Sequence, residues 1–161
     1  MANATHTLTS SNSDDSLVIY FAGSIRAGRD DVPTYEKLIN QLKNYGTVIT
    51  EHVGDYNLSV GGQSFLTDEF IHNRDLHWLR HSHIVVAEVT TPSLGVGYEI
   101  ATAINWHIPV ITLYRKNDQS VSAMISGSKG CNHFEYTCLS DAHRFIEKEF
   151  TKLGFEVRNE S

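Results

Sequence analysis

The sequence predicts a single α/β domain built on an open, doubly wound sheet of five parallel strands. Short runs rich in Val, Ile, Thr and aromatic residues alternate along the chain with segments of helical spacing. Several of these runs are apolar on both alternating faces, as strands covered by helices on each side must be. Because strand and helix alternate five times, we expect right-handed crossovers and a flavodoxin- or Rossmann-like sheet.

The predicted strands are residues 16–23, 47–53, 83–89, 109–115 and, more weakly, 133–139. The first predicted helix is residues 33–46, in which Tyr35, Leu38, Ile39 and Leu42 share one apolar stripe and Gly46 provides a stop. Residues 65–81, 94–107 and 141–153 have similar spacing and supply the remaining predicted helices.

The ends of the chain differ in composition from this alternating region. Residues 1–15 are rich in Ser, Thr and Asn, with neither the basic start nor the apolar centre of a secretory signal. We therefore expect a disordered tail at 1–15, one domain at 16–153 and a C-terminal tail at 154–161. No apolar run approaches the roughly 20 residues of a membrane span.

Composition argues against several classes of partner. The formal net charge is -6, so we expect no general attraction to nucleic acid or to membranes. Cys131 and Cys138 cannot form a disulfide framework, which favours a reducing compartment, the cytoplasm, and leaves the nucleus open. The nine histidines form no HExxH or clustered motif, so no metal is expected.

The loop after the first strand, GSIRAGRD at residues 23–30, nearly matches a phosphate-binding P-loop. Arg29 and Asp30 stand where that motif needs Lys and a hydroxyl that binds magnesium, which argues against a nucleoside triphosphatase. Backbone N–H groups, the Ser24 hydroxyl and the Arg26 guanidinium would still suit one terminal phosphate. A solvated turn explains the glycines equally well.

The loop after the third strand, TTPSLGVGYEI at residues 90–100, also lacks a complete nucleotide motif. Its Gly-x-Gly at 95–97 is not followed by the third Gly or Ala of a dinucleotide fingerprint. Ser93 is a candidate N-cap, and the free amides of a helix beginning there would attract an anion.

Glu99, in the same stretch, has two explanations. A carboxylate near a helix N-terminus complements the helix dipole, and such a side chain would face solvent. Alternatively, Glu99 faces a carbon that becomes positive when a sugar–base bond breaks, where a carboxylate stabilises the charge or attacks to form a glycosyl ester.

Five segments, taken together, have a recognisable order and spacing: YFAGSIRAGR, TVITEHV, the stretch from Asp75 to Leu79, VVAEVTTPSLGVGYE and VSAMISG. From Val18 to Phe150 the chain closely resembles the 2'-deoxynucleoside 5'-phosphate N-hydrolases of the nucleoside 2-deoxyribosyltransferase superfamily. The resemblance implies a flavodoxin-like homodimer that hydrolyses deoxynucleoside monophosphates to a free base and 2-deoxyribose 5-phosphate. Hydrolysis by paired carboxylates needs no cofactor.

The resemblance also implies roles for individual residues. Glu99 would be the nucleophile or the carboxylate that stabilises the transition state, and Asp75 its acidic partner, which protonates or orients the leaving base. Tyr20 would lie near the sugar and Glu99, and Tyr rather than Phe there favours deoxyribose. The implied substrate-binding residues are Gly23, Ser24, Ile25, Arg26, Ser93, Gly95, Met124, His52 at the base pocket and Ser122 from the second subunit.

Each of these residues also has a purely structural explanation. Tyr20 could belong to the core, Asp75 could form an i,i+4 pair on its helix, and Ser122 could cap a helix. His52 could be a satisfied histidine at a strand end. Two other functions also stay open, a deoxyribosyltransferase that passes the sugar to a second base and a non-catalytic nucleotide sensor.

The sequence does not indicate which base is preferred. The loop after the second strand offers Asp55, Tyr56 and Phe65 as candidates for base contacts.

Overall fold

A computed structural model describes residues 16–25, 31–55, 66–116 and 120–158. The predicted tail at 1–15, together with Arg26, Tyr56 and Phe65, lies outside the described residues. The elements, in chain order, are β1 (Val18–Ala22), α1 (Val32–Leu42), β2 (Thr47–Val48), a 3₁₀ helix (Glu51–Gly54), α2 (Asp68–Arg80), β3 (Ile84–Glu88), α3 (Leu94–Asn105), β4 (Val110–Arg115), α4 (Ala123–Ser126), β5 (Cys131–Tyr136) and α5 (Leu139–Lys152).

The five strands form one sheet in the order β2-β1-β3-β4-β5, and every neighbouring pair is parallel. The predicted α/β fold with a five-stranded parallel sheet is therefore confirmed, and the strand order is the flavodoxin-like one. The order reverses between β1 and β3. In sheets of this kind a crevice opens at that point, outside the carboxyl ends of the strands.

Alternate residues of β1 enter different layers of the core. Ile19 and Phe21 pack with α1 and α5, while Tyr20 and Ala22 pack with α2 and α3. Phe21 is fully buried, and its ring meets the ring of Tyr35 edge-on at 5.7 Å between centroids. Burying a side chain of this size stabilises the fold by about 1.5–3 kcal/mol. The alternation fixes Tyr20 on the face covered by α2 and α3.

The second strand is much shorter than the sequence predicts. The prediction of a strand at residues 47–53 is wrong beyond Val48, because the chain turns at Thr50 and enters the 3₁₀ helix. The Thr50 hydroxyl accepts from the Phe21 amide at 2.8 Å and donates to the Phe21 carbonyl at 2.7 Å. One side chain thus satisfies the two edge groups of β1 that a longer β2 would have paired.

The first helix and the end of the chain meet on the α1/α5 face. The helix α1 ends at Leu42, and the predicted stop, Gly46, lies four residues later at the entrance to β2. A Cβ atom at Gly46 would lie 2.2 Å from the Leu17 carbonyl oxygen, so this close approach requires glycine. In the last described residues, Phe155 packs edge-on against Phe150 at 5.7 Å between ring centroids.

None of the described helices is long and apolar enough to cross a membrane.

Candidate active site

Tyr20 and Glu99 meet at the point where the strand order reverses. The Tyr20 hydroxyl donates to Oε1 of Glu99 at 2.7 Å, although the two residues are 79 positions apart in sequence. Tyr20 comes from the middle of β1 and is 2% exposed. Glu99 comes from α3, the helix that follows β3. The ring of Tyr20 therefore belongs to the core, as the structural explanation predicted, while its hydroxyl reaches the carboxyl group of Glu99.

Glu99 lies where ionisation is unfavourable. The pKa of Glu99 is raised to about 7 as the net result of three influences: burial raises it most, the Tyr20 hydrogen bond lowers it, and the negative charge of Asp75 raises it. Glu99 is the sixth residue of α3, beyond the first turn, so the helix-dipole explanation does not account for it. Among the described residues, nothing donates a hydrogen bond to Oε2 of Glu99. One oxygen is held and the other is available to a ligand.

Tyr20 acts as a donor in this pair. Burial, followed by the charge and hydrogen bond of Glu99, raises the pKa of the Tyr20 phenol far above its ordinary value. The phenol therefore carries its proton at neutral pH, and it can fix the direction of the carboxyl group.

Asp75 provides a second carboxyl group close enough to influence both residues. Its negative charge raises the pKa values of Tyr20 and Glu99. The predicted alternative, an i,i+4 ion pair, is not formed; Asp75 Oδ1 instead contacts Nε and Nη2 of Arg74 at 2.9 and 2.8 Å. Together Tyr20, Glu99 and Asp75 form the candidate catalytic group predicted from the sequence.

A wall of planar side chains lies beside Asp75. The guanidinium of Arg74 stacks 4.5 Å above the ring of Trp78, and the His52 ring lies 5.8 Å from the same ring. His52 was predicted to border a base pocket, and it lies on the 3₁₀ helix rather than on a strand. Sequence reasoning did not assign Arg74 or Trp78 to the site. We call these three side chains the planar wall.

The end of β1 and the start of α3 offer groups for an anion. Ser24 is fully buried; its amide donates to the Tyr35 hydroxyl at 3.1 Å, while its own Oγ has no hydrogen-bond partner among the described residues. An unsatisfied buried hydroxyl costs about 1–3 kcal/mol. Because β1 pairs with β3, the loops that follow the two strands emerge side by side.

The other predicted anion ligands lie along the same edge. Ser93 is the N-cap of α3, as predicted, and accepts from the Val96 amide at 3.4 Å. Gly95 is exposed in the first turn and Ile25 is half-buried after Ser24. A Cβ atom at Gly23 would lie 3.0 Å from the Tyr35 ring, so the chain passes close to α1 here.

An ion pair between a buried carboxylate and a partly exposed arginine connects these loops to the sheet. Asp31, the residue before α1, accepts from the Thr91 hydroxyl at 2.8 Å and pairs with the Arg115 guanidinium at 2.5 Å. The start of α1, the loop after β3 and the last residue of β4 are thereby linked through one carboxylate. Nothing in the linear sequence brought these three residues together.

No hydrogen bond among the described residues joins Ser122 or Met124 to Tyr20, Asp75 or Glu99 of the same chain. The Ser122 hydroxyl accepts from the Met124 amide at 3.3 Å, so Ser122 caps the short helix α4, as the structural alternative predicted. The Met124 side chain is 83% exposed. Asp55 is also exposed, and it follows the 3₁₀ helix.

Among the described residues, no group of three or more His, Cys, Asp or Glu side chains is arranged to hold a metal ion.

The chain is similar to known proteins over most of its length. The profile of the family "Nucleoside 2-deoxyribosyltransferase" matches residues 19–156. A 5-hydroxymethyl-dUMP N-hydrolase from Tetraodon nigroviridis is 43% identical over 84% of this chain and 98% of its own length. The mouse (Mus musculus) protein of that name is 46% identical over 73% of this chain and 69% of its own length.

Solved structures agree at the level of the fold. A CMP N-glycosidase from Clostridium botulinum has a TM-score of 0.60 at 14% identity, covering 82% of this chain and 98% of its own. A 2-deoxyribosyltransferase from Bacillus psychrosaccharolyticus has a TM-score of 0.59 at 17% identity, covering 88% and 99%. The family match, which spans most of the sequence, confirms the resemblance inferred from the motifs: the chain belongs to the nucleoside 2-deoxyribosyltransferase family.

Proposed function

We propose that this protein hydrolyses the N-glycosidic bond of 2'-deoxynucleoside 5'-monophosphates and releases a free base and 2-deoxyribose 5-phosphate. The observation that carries the proposal is the state of Glu99, whose Oε1 is held by Tyr20 at 2.7 Å and whose pKa is raised to about 7. Such a carboxyl group, beside a crevice and a second carboxylate, is typical of a catalytic site. The names of relatives at 43–46% identity support the reaction type.

The ionised Glu99 would act on the sugar. As the C1'–N bond breaks, its electron pair goes to the base and C1' becomes positive. Oε2 of Glu99 either attacks C1' to form a glycosyl ester or stabilises the charge until water adds. Water then supplies the hydroxyl group of the product and a proton. Tyr20, which stays protonated, keeps the carboxylate directed at the sugar.

Asp75 would interact with the base as it leaves. It lies on α2 next to the planar wall, whose His52 and Trp78 rings suit the face of a nucleobase. We assign Asp75 the role of orienting or protonating the base as it leaves.

The phosphate would bind where β1 and α3 present amides and hydroxyl groups. Ser24 supports this assignment, because its buried Oγ lacks a partner among the described residues and a phosphate oxygen would supply one. Ile25, Ser93 and Gly95 would contribute the remaining contacts, with Arg26 from outside the described residues. Binding energy from the phosphate would position C1' against Glu99, so substrates without it should lose kcat as well as affinity.

The enzyme would work as a homodimer. Several large apolar side chains near the site are exposed, including Leu94 at 96% and Tyr98 at 53%, and a second copy of the chain would cover them. In that arrangement Ser122 and Met124 of one protomer would complete the phosphate end of its partner's site. We place the protein in the cytoplasm or the nucleus, since its cysteines are free.

Chromatography of the released base tests the proposed reaction. Incubation with 5-hydroxymethyl-dUMP, dUMP and dGMP should yield free base, while the matching ribonucleotides and the nucleosides without phosphate should react more slowly. Nucleotide binding without any base release would instead support a sensor. Transfer of the sugar to an added acceptor base, in place of hydrolysis, would support a deoxyribosyltransferase.

A further inference from the structure

Arg74 and Asp75 form a contact that a helix does not provide by itself. Side chains at neighbouring positions of an α-helix point about 100° apart and do not face each other. Nevertheless, Nε and Nη2 of Arg74 both lie within 3 Å of Asp75 Oδ1, at 2.9 and 2.8 Å. The two side chains are only 16% and 23% exposed, so this is not a solvated surface pair.

Trp78 fixes the guanidinium in place. Its ring, one helical turn after Arg74, lies 4.5 Å below the guanidinium carbon. Stacking of this kind holds the plane of an arginine side chain and contributes about 0.5–2 kcal/mol. The His52 ring contacts the same tryptophan, so the planar wall is anchored at both ends.

The contact leaves Asp75 with one committed oxygen and one free oxygen. Both N–H groups of Arg74 approach Oδ1, and among the described residues nothing donates to Oδ2. Arg74 therefore holds Oδ1 of Asp75, while Oδ2 is left available to a ligand. The guanidinium also brings a positive charge to the site, where it lowers the pKa of Tyr20 and so opposes the negative charge of Asp75.

We propose that Arg74 is a positioning residue for the hydrolysis: it turns Oδ2 of Asp75 toward the leaving base and compensates the Asp75 charge beside Glu99. The assignment rests on the proposed function. Arg74 would act through Asp75 rather than through the substrate. Its loss should therefore lower kcat more than it changes KM.

The charge part of the proposal predicts a direction for the pH profile. The described groups that act on Glu99 are Tyr20 from β1 and Asp75 from α2, and Arg74 acts on Tyr20, whereas Val85, Ala87 and Val89 of the β3 segment are apolar members of the same core layer. The Asp75 charge raises the Glu99 pKa, and removing the Arg74 charge leaves that effect uncompensated. The acid limb of kcat/KM, which reports ionisation of the free enzyme, should then move to higher pH.

Two substitutions and one matched control test the proposal. In Arg74→Gln we expect kcat to fall by roughly 10- to 100-fold, the scale of a misplaced catalytic group, with the acid limb moved upward. Arg74→Lys keeps the charge but not the planar guanidinium group. Its kcat should therefore lie between those of the wild type and Arg74→Gln, and its acid limb should match that of the wild type. Arg80→Gln is the control, because Arg80 also stacks on a tryptophan, 4.9 Å from Trp106, and contacts no carboxylate in the described part of the chain.

The outcomes separate this proposal from the proposed function. If the wild type releases base and Arg74→Gln matches Arg80→Gln in kcat and in the acid limb, or changes KM alone, Arg74 is not a positioning residue. If the wild type releases no base, titration of the Glu99 carboxyl group by ¹³C NMR tests whether the Arg74 charge influences Glu99. A midpoint raised in Arg74→Gln but not in Arg80→Gln supports the charge coupling, and an unchanged midpoint rejects it.

Discussion

The carboxyl group of Glu99 combines two opposing influences at the scale of one residue. Burial and the charge of Asp75 favour its protonated form, while the hydroxyl of Tyr20 favours the ionised form. The balance leaves the pKa at about 7, where an acid is easily converted to a nucleophile. Tyr20 is thus predicted to control both the direction and the ionisation of Glu99.

Substituting Tyr20 by Phe tests that role. Loss of a hydrogen bond to a charged group costs roughly 1.5–3 kcal/mol, so the Glu99 pKa should rise by about one unit or more. The acid limb of the kcat/KM profile for a deoxynucleoside monophosphate should move to higher pH by that amount. An unchanged acid limb in a folded Tyr20→Phe protein would show that the hydroxyl does not stabilise the ionised carboxylate.

Glu99 should also destabilise the folded protein at high pH. Since its folded pKa of about 7 is above its ordinary value of 4.5, the folded chain holds the proton longer than the unfolded chain between these values. Stability therefore falls as pH rises through this window. Glu99→Gln, which does not titrate, should gain about 1–3 kcal/mol relative to the wild type between pH 4.5 and pH 8.

Urea denaturation of both proteins at the two pH values measures this gain. If the two proteins differ in unfolding free energy by the same amount at both pH values, ionisation of Glu99 does not destabilise the folded protein.

Some residues of the candidate site could be predicted from the sequence, whereas others could be assigned only from their contacts in the structure. Ser93 could be predicted as an N-cap because a capping hydroxyl before a helical stripe is a local signal. Arg74 could not be assigned, because its role depends on a rotamer that stacks on Trp78 and turns toward its own neighbour. Neither the stacking on Trp78 nor the contact with Asp75 can be predicted from the sequence.

At the scale of elements, the shortness of β2 shapes the site. The chain leaves the sheet after Val48, and the 3₁₀ helix that follows brings His52 to Trp78. A longer β2 would have carried His52 along the sheet edge. The apolar pattern of residues 47–53 could not reveal this, because a hydroxyl that replaces two ladder hydrogen bonds has no signature in hydrophobic periodicity.

Thr50 is therefore predicted to be important for stability. Thr50→Val leaves the buried amide and carbonyl of Phe21 without their partner, which should cost about 1–3 kcal/mol of unfolding free energy. Thr47→Val is the control, since Thr47 is an exposed β2 residue and its change should stay within about 0.5 kcal/mol. Equal urea midpoints for the two variants would argue against the role assigned to Thr50.

At the scale of the whole molecule, strand order determines which loops form the crevice. The alternation of strands and helices predicted the parallel sheet, because covered strands are apolar on both faces. The pairing of β1 with β3 then places Tyr20 beside α3. The proposed contacts between protomers lie outside what one chain's periodicity can predict, since they would depend on a few exposed apolar side chains such as Leu94 and Tyr98.

Mixing two inactive variants tests the dimer. If each site combines Glu99 of one protomer with Ser122 of the other, a Glu99→Gln/Ser122→Ala heterodimer contains one intact site. Co-refolding equal amounts should then restore roughly a quarter of the wild-type sites, given random pairing in a two-fold dimer. Activity no higher than the mean of the separate variants would show that Ser122 does not act across the interface.

The central claim is that the Glu99 carboxylate reacts at, or stabilises, C1' of a bound deoxynucleotide. The most direct measurement compares base release from 5-hydroxymethyl-dUMP by the wild type and by Glu99→Gln, with nucleotide affinity measured by calorimetry on the same preparations. We predict that the substitution lowers turnover by at least about 1000-fold, as loss of a nucleophile does, while the nucleotide still binds. Wild-type turnover by Glu99→Gln would contradict the account.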